Sequence, residues 1–193
     1  MCTRTTRGCS HEGLLIVFGG LPATGKTSIA RELARQIGAV YLRIDSIEQA
    51  IRDSAGAAGP LEDAGYRAAC AVAEDNLRLG RTVVADSVNP LPLTRDAWLA
   101  VARRAGAAAV EIEIVCSDAA EHRRRVEERT TDVAGLKLPT WQEVMARDYR
   151  PWDREHIVMD TAVFNVPECV RTIRRAIQLR IGPEWPFGSD VRP

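Results

Sequence analysis

Gly20 and Gly25, followed at once by Lys26 and Thr27, are the residues whose types and spacing speak most directly of chemistry. They lie in GGLPATGKTS, Gly19 to Ser28, directly behind the apolar run Leu14 to Phe18. Glycines at this spacing let backbone N–H groups approach phosphate oxygens at the positive end of a helix. A lysine next to them neutralises terminal phosphates, and a following hydroxyl offers a ligand to Mg²⁺. The pattern sits between a strand and a helix, the context that distinguishes a phosphate-binding loop from a glycine-rich turn with an exposed lysine. The expected ligand is a nucleoside triphosphate, contacted by Gly20, Leu21, Pro22, Ala23, Thr24, Gly25, Lys26, Thr27 and Ser28, with Thr27 on the metal ion.

Two carboxylates follow apolar runs of strand type. Asp45 follows Val40 to Ile44, and Asp86 follows Thr82 to Ala85. Ligands of open parallel sheets bind outside the carboxyl ends of the strands, so both aspartates are expected to point toward the phosphates, Asp86 as a Mg²⁺-associated carboxylate. The structural alternative for each is helix capping. A third group is the arginine run from His122 to Arg129. Phosphoryl transfer needs positive charge near the departing oxygens, and the spacing of Arg125 and Arg129 predicts one helix face that brings both to the cleft. The competing account is a solvated face laced by Glu121, Glu127 and Glu128. The segment Thr130 to Pro139, with Gly135, reads as a lid.

Short β-branched runs alternating with helical periods must position these groups, the pattern of a parallel sheet. The predicted strands are Leu14–Phe18, Val40–Ile44, Thr82–Ala85, Val110–Val115 and Ile157–Met159. The predicted helices are Lys26–Ile37, Glu62–Leu79, Leu93–Arg104, Asp118–Arg129, Thr140–Arg147 and Val166–Leu179. Residues 1–13 read as a disordered leader, 14–180 as one domain with its lid at about 120–150, and 181–193 as an irregular tail. The chain has 193 residues, with 26 basic and 26 acidic side chains, so no global charge marks a nucleic-acid or membrane binder. No apolar run is long enough to span a bilayer, and five scattered cysteines without a C-x-x-C pair fit reduced thiols in the cytoplasm. Trp98 falls in the apolar pattern of its helix, while Trp141 and Trp152 border the lid as candidates for stacking on a ring of the acceptor.

The sequence resembles small P-loop kinases related to chloramphenicol phosphotransferase, gluconate kinase, adenylyl-sulfate kinase and the kinase domain of polynucleotide kinases. The likeness rests on Gly20 to Thr27, Ile44-Asp45-Ser46-Ile47, Val84-Ala85-Asp86, Arg125 through Arg129 to Pro139 and Val144, and Val158-Met159-Asp160-Thr161. It implies a three-layer α/β P-loop NTPase fold: a five-stranded parallel sheet in the order 2-3-1-4-5, flanked by helices, with a small helical lid. It also implies ATP and Mg²⁺ as cofactors, Asp45 as base toward a substrate hydroxyl with Asp86 as the other candidate, Lys26 with Arg125 or Arg129 as catalytic cations, and Thr161 at the adenine. Polynucleotide kinases place an arginine three residues beyond the catalytic aspartate, where this chain has Glu48. That departure favours a small-molecule hydroxyl as acceptor and leaves a polynucleotide or nucleotide kinase as the alternative. An ATP-hydrolysing switch without a small acceptor is the second alternative. The oligomeric state is left open.

Overall fold

The computed structural model of the protein describes residues 13–54 and 63–182. The expected leader up to residue 12 and the tail from residue 183 lie outside the described residues. Gly13 is buried, and its carbonyl accepts from the Ala108 N–H at 3.0 Å. The elements are β1 (Leu14–Gly19), α1 (Lys26–Ile37), β2 (Val40–Arg43), α2 (Ile44–Ser54), α3 (Ala64–Arg78), β3 (Thr82–Asp86), α4 (Pro92–Ala105), β4 (Ala108–Val115), α5 (Ala119–Glu128), α6 (Trp141–Met145), β5 (Ile157–Asp160) and α7 (Val166–Ile181).

All strand pairs are parallel, and the sheet order is β2-β3-β1-β4-β5, as expected. Side chains of β1 alternate between two cores, the period of two that a strand imposes. Leu14, Ile16 and Phe18 pack with Ile29 and Leu33 of α1 and Ile173 of α7, while Leu15 and Val17 pack with Ala73 and Leu77 of α3 and Trp98 of α4. Helices on both faces leave β1 wholly buried, which is why it reads as an unbroken apolar run. Trp98 is core, as its helical period indicates.

Two local expectations are corrected. The strand expected through Ile44 stops at Arg43, and Ile44 instead opens α2, an element that the periodicity did not reveal. Ile44 joins the core cluster shared with α3 and α4, so its burial is satisfied from a helix rather than a strand. Asp45 therefore sits in the first turn of α2 and does not end a strand. At the far end, α7 runs through Ile181, the first residue assigned to the irregular tail; Ile173 and Ile177 anchor that helix to the core. The strand register brings Phe18, Asp86 and Arg43 to one level, so the phosphate loop, β3 end and β2 end open onto a common edge.

Candidate active site

The loop after β1 is shaped by its glycines. Gly20 has φ +130°, and a Cβ there would meet the Ile114 carbonyl oxygen at 2.1 Å, so no larger residue fits. Its N–H donates to the Val88 carbonyl at 3.0 Å, joining the loop to the segment after β3. Gly25, with φ +97°, turns the chain into α1. Ala23 also adopts positive φ, at 64°, a strained backbone at the centre of the loop. Lys26 is buried, and its Nζ donates to the Leu21 carbonyl at 2.8 Å. Burial lowers its pKa from 10.5 to about 8, partly offset by the nearby carboxylates Asp86 and Asp45. His122 of α5 bonds the Pro22 carbonyl through Nε2 at 2.8 Å, which makes that nitrogen the donor, and its ring meets Trp141 edge-on.

Asp86 is 3% exposed and accepts from the Tyr41 hydroxyl at 2.7 Å. The Asp45 carboxylate makes no hydrogen bond among the described residues; it pairs with Arg43 Nε at 3.9 Å. Capping of α2 by the Asp45 side chain is therefore not observed. Lys26, Thr27, Asp45 and Asp86 all line one cleft of about 1350 Å³, which Thr161 also borders.

The two arginines expected on one face are separated by the end of their helix. α5 stops at Glu128, and Arg129 takes up extended backbone at φ −67°, ψ 142°. Arg125 bonds Glu121, and its two terminal nitrogens donate to the hydroxyl and carbonyl of Thr161 at 2.8 and 3.0 Å. The Thr161 hydroxyl in turn donates to the Thr24 carbonyl at 2.8 Å, so Arg125 latches the loop after β5 to the phosphate loop. Arg129 is half-buried in the cleft wall and has no ion pair or side-chain hydrogen bond among the described residues. Burial lowers its pKa, and Asp45 opposes that shift.

Members of the segment 129–139, among them Asp132, Gly135 and Lys137, line the cleft. Asp132 accepts from Arg31 of α1 and Arg43 of β2, each at 2.6 Å, clasping the segment to the domain. Both arginines hold the Asp132 carboxyl far below the usual range. Gly135, at φ +76°, approaches α2 so closely that a Cβ would lie 2.9 Å from Gln49 Nε2. Glu48, whose pKa burial raises, pairs with Arg52 at 3.3 Å. A guanidinium thus stands on this wall after all, four residues beyond Glu48 on the same helix.

Sequence reasoning gave Arg95 no role, yet it is fully buried. It donates to the carbonyls of Asn89, Pro90, Arg150 and Pro151 and packs against the rings of Tyr149 and Trp152. Asn89 and Pro90 are local partners, but nothing in a lone arginine of an amphipathic helix announces Arg150 and Pro151, which come from a segment about 55 residues away. Trp152 stacks on His156, and Trp141 meets His122; neither borders the cleft, so neither stacks there on a ring of an acceptor.

A family described as AAA domain matches residues 15–151. No curated protein matches the sequence. A candidate kinase of Chloroflexus aurantiacus has 18% identity and a TM-score of 0.69, with 88% of this chain and 98% of that one covered. The APS kinase of Mycobacterium tuberculosis, solved with AMPPNP and APS, has 18% identity and a TM-score of 0.65, with 86% and 98% covered. A gluconokinase of Sinorhizobium meliloti has 19% identity and a TM-score of 0.57, with 88% and 97% covered. At such identities the likeness establishes a common fold.

Proposed function

From the premise that this chain belongs to the AAA-domain family, we propose that it is an ATP-dependent kinase that transfers the γ-phosphoryl group of ATP to a hydroxyl of a small molecule. The observation that carries this is the size and lining of the cleft. At about 1350 Å³ it exceeds the roughly 300–1,000 Å³ of a pocket for one small ligand, leaving room for a second substrate beside the nucleotide. The phosphate loop lines one part and α2, with Asp45 and Glu48, another. A hydrolase needs only water in that second part.

In this mechanism Asp45 orients the acceptor hydroxyl and takes its proton as the oxygen attacks the γ-phosphorus. The bond from that phosphorus to the β–γ bridging oxygen breaks, ADP departs, and the acceptor becomes a phosphate monoester. Lys26 and Arg129 face the phosphates, where charge develops on the equatorial oxygens. Arg125 and Thr161 hold the loop after β5 against the nucleotide side. Thr27 and Asp86 present a hydroxyl and a carboxylate at the loop, hard oxygen donors suited to Mg²⁺, which keeps most of its shell as water and phosphate oxygen. When bound, the ion would neutralise β- and γ-phosphate charge. Free Cys70, Cys116 and Cys169 fit a reducing compartment, the cytoplasm. No described helix is long and apolar enough to cross a membrane.

The test is ADP formation with and without a panel of alcohols, followed by mass analysis of each acceptor for one added phosphate. Slow hydrolysis alone and acceleration by a phosphorylated acceptor are expected. Rapid hydrolysis that no acceptor accelerates would identify a switch instead, and phosphorylation only of an oligonucleotide with a free 5′ hydroxyl would identify a polynucleotide kinase.

A further inference from the structure

We infer that the acceptor alcohol carries an anionic group, a phosphate or a carboxylate, and that Arg147 holds it. The inference rests on the kinase reading for the word acceptor, and its argument on how charges are paired around the cleft. Arg31 and Arg43 are taken up by Asp132, Arg52 by Glu48, and Arg124 by Glu121 and Glu128. Arg125 is bonded to Glu121 and Thr161. Lys26, Arg129, Lys137 and Arg147 line the cleft with no acidic partner in ion-pair reach among the described residues. Lys26 and Arg129 are accounted for by the triphosphate. Lys137 and Arg147 are not, and of these two Arg147 sits on backbone pinned to the segment after β3.

Its position is built, not incidental. Arg147 follows α6, whose Val144 is fully buried, and its N–H donates to the Val144 carbonyl at 3.3 Å. Three residues on, the Arg150 N–H donates to the Pro90 carbonyl at 2.8 Å, and buried Arg95 grips the carbonyls of Arg150 and Pro151. The backbone that carries Arg147 is thereby pinned to the segment after β3. In the sheet order that segment lies between β1 and β2, on the side of α2 and away from the adenine loop after β5. Arg147 lines the same cleft as Lys26 of the phosphate loop and Glu48 of α2.

A cation held beside another cation is tolerated while water fills the cleft. Once ATP and an acceptor displace that water, an unpaired guanidinium loses solvation unless the incoming ligand supplies the opposite charge. A neutral alcohol cannot do so. A phosphate or carboxylate can, and either accepts the two parallel N–H bonds of a guanidinium.

The experiment compares glycerol, glycerate and glycerol 3-phosphate, with inorganic phosphate as the minimal probe, binding to protein saturated with Mg²⁺ and AMPPNP, read by calorimetry. ADP formation with ATP is measured in parallel. Charged members are expected to bind more tightly than glycerol, and Arg147→Ala to weaken them roughly 10- to 100-fold, with AMPPNP affinity within about twofold of wild type. Arg147→Lys should restore part of the loss. The carboxylate and phosphate arms show which anion is preferred. Equal binding of charged and neutral members, or charged binding indifferent to Arg147→Ala, would overturn the inference. Charged alcohols that bind through Arg147 yet are never phosphorylated would support the subsite and overturn the kinase reading instead.

Discussion

Lys26 combines the phosphate-binding role proposed for it with a pKa that burial lowers to about 8. Below that value the buried charge is present and its desolvation opposes folding; that cost is relieved as pH rises from about 8 toward the ordinary lysine value near 10.4. Arrival of a triphosphate favours the charged form and raises the pKa again. Nucleotide binding at pH 8 should therefore take up protons, seen in calorimetry as a binding heat that varies with the ionisation enthalpy of the buffer, and affinity should fall above pH 8. Lys26→Ala should abolish both the proton uptake and most of the affinity. Asp45 gives the complementary test: its carboxylate makes no hydrogen bond among the described residues, so Asp45→Asn should leave thermal stability and ATP binding near wild type. Acceptor-dependent turnover should fall by roughly 10²-fold or more, the scale of general base catalysis. Turnover close to wild type would move the base to Asp86.

Between elements, two side chains do most of the fastening. Arg95 of α4 is enclosed by four carbonyls and two aromatic rings, and truncating it would take its donors from the carbonyls of Asn89, Arg150 and Pro151, while Pro90 keeps the Arg150 N–H. Arg95→Ala is expected to lose about 3–5 kcal/mol of stability, measured by denaturant unfolding. A loss within a few tenths of a kcal/mol would mean that water replaces the guanidinium freely. Asp132 fastens its segment to α1 and β2 through an exposed carboxylate and an exposed Arg31, with Arg43 largely covered, so its worth lies in closure more than in stability. Because its carboxyl titrates well below the usual range, the clasp holds at every pH above that of an ordinary aspartate and is lost only as pH falls further. Asp132→Ala should raise the ratio of ATP hydrolysis to acceptor phosphorylation, since a looser lid admits water; an unchanged ratio would show that the clasp plays no part in closure.

For the whole molecule, a ligand that binds only the folded chain stabilises it by about 2.7 kcal/mol at a hundredfold excess over its Kd. At roughly 2–4 °C per kcal/mol for a chain of this length, Mg²⁺ with AMPPNP should raise Tm by roughly 5–10 °C, and Lys26→Ala should remove that rise. Much of this architecture was written locally in the sequence. Gly20 to Thr27 encode the loop because each residue's need, positive φ or a free N–H, is a property of that residue and its neighbours. The strand runs and the glycines that stop α1 and α4 are equally local, since period and capping are read along the chain. The sheet order was legible only through resemblance. What the sequence left out was decided by contacts between distant segments. Ile44 became a helix start because its apolar partners lie on α3 and α4. Arg125 and Arg129 parted because Thr161, 36 residues along, takes the first, while the end of α5 leaves the second on extended backbone. Arg147 joined the cleft because Arg95, on another helix, holds the arm behind it. An arginine carries the same charge on a solvated face, in a latch or beside a substrate, and only the partners that folding brings to it distinguish the three.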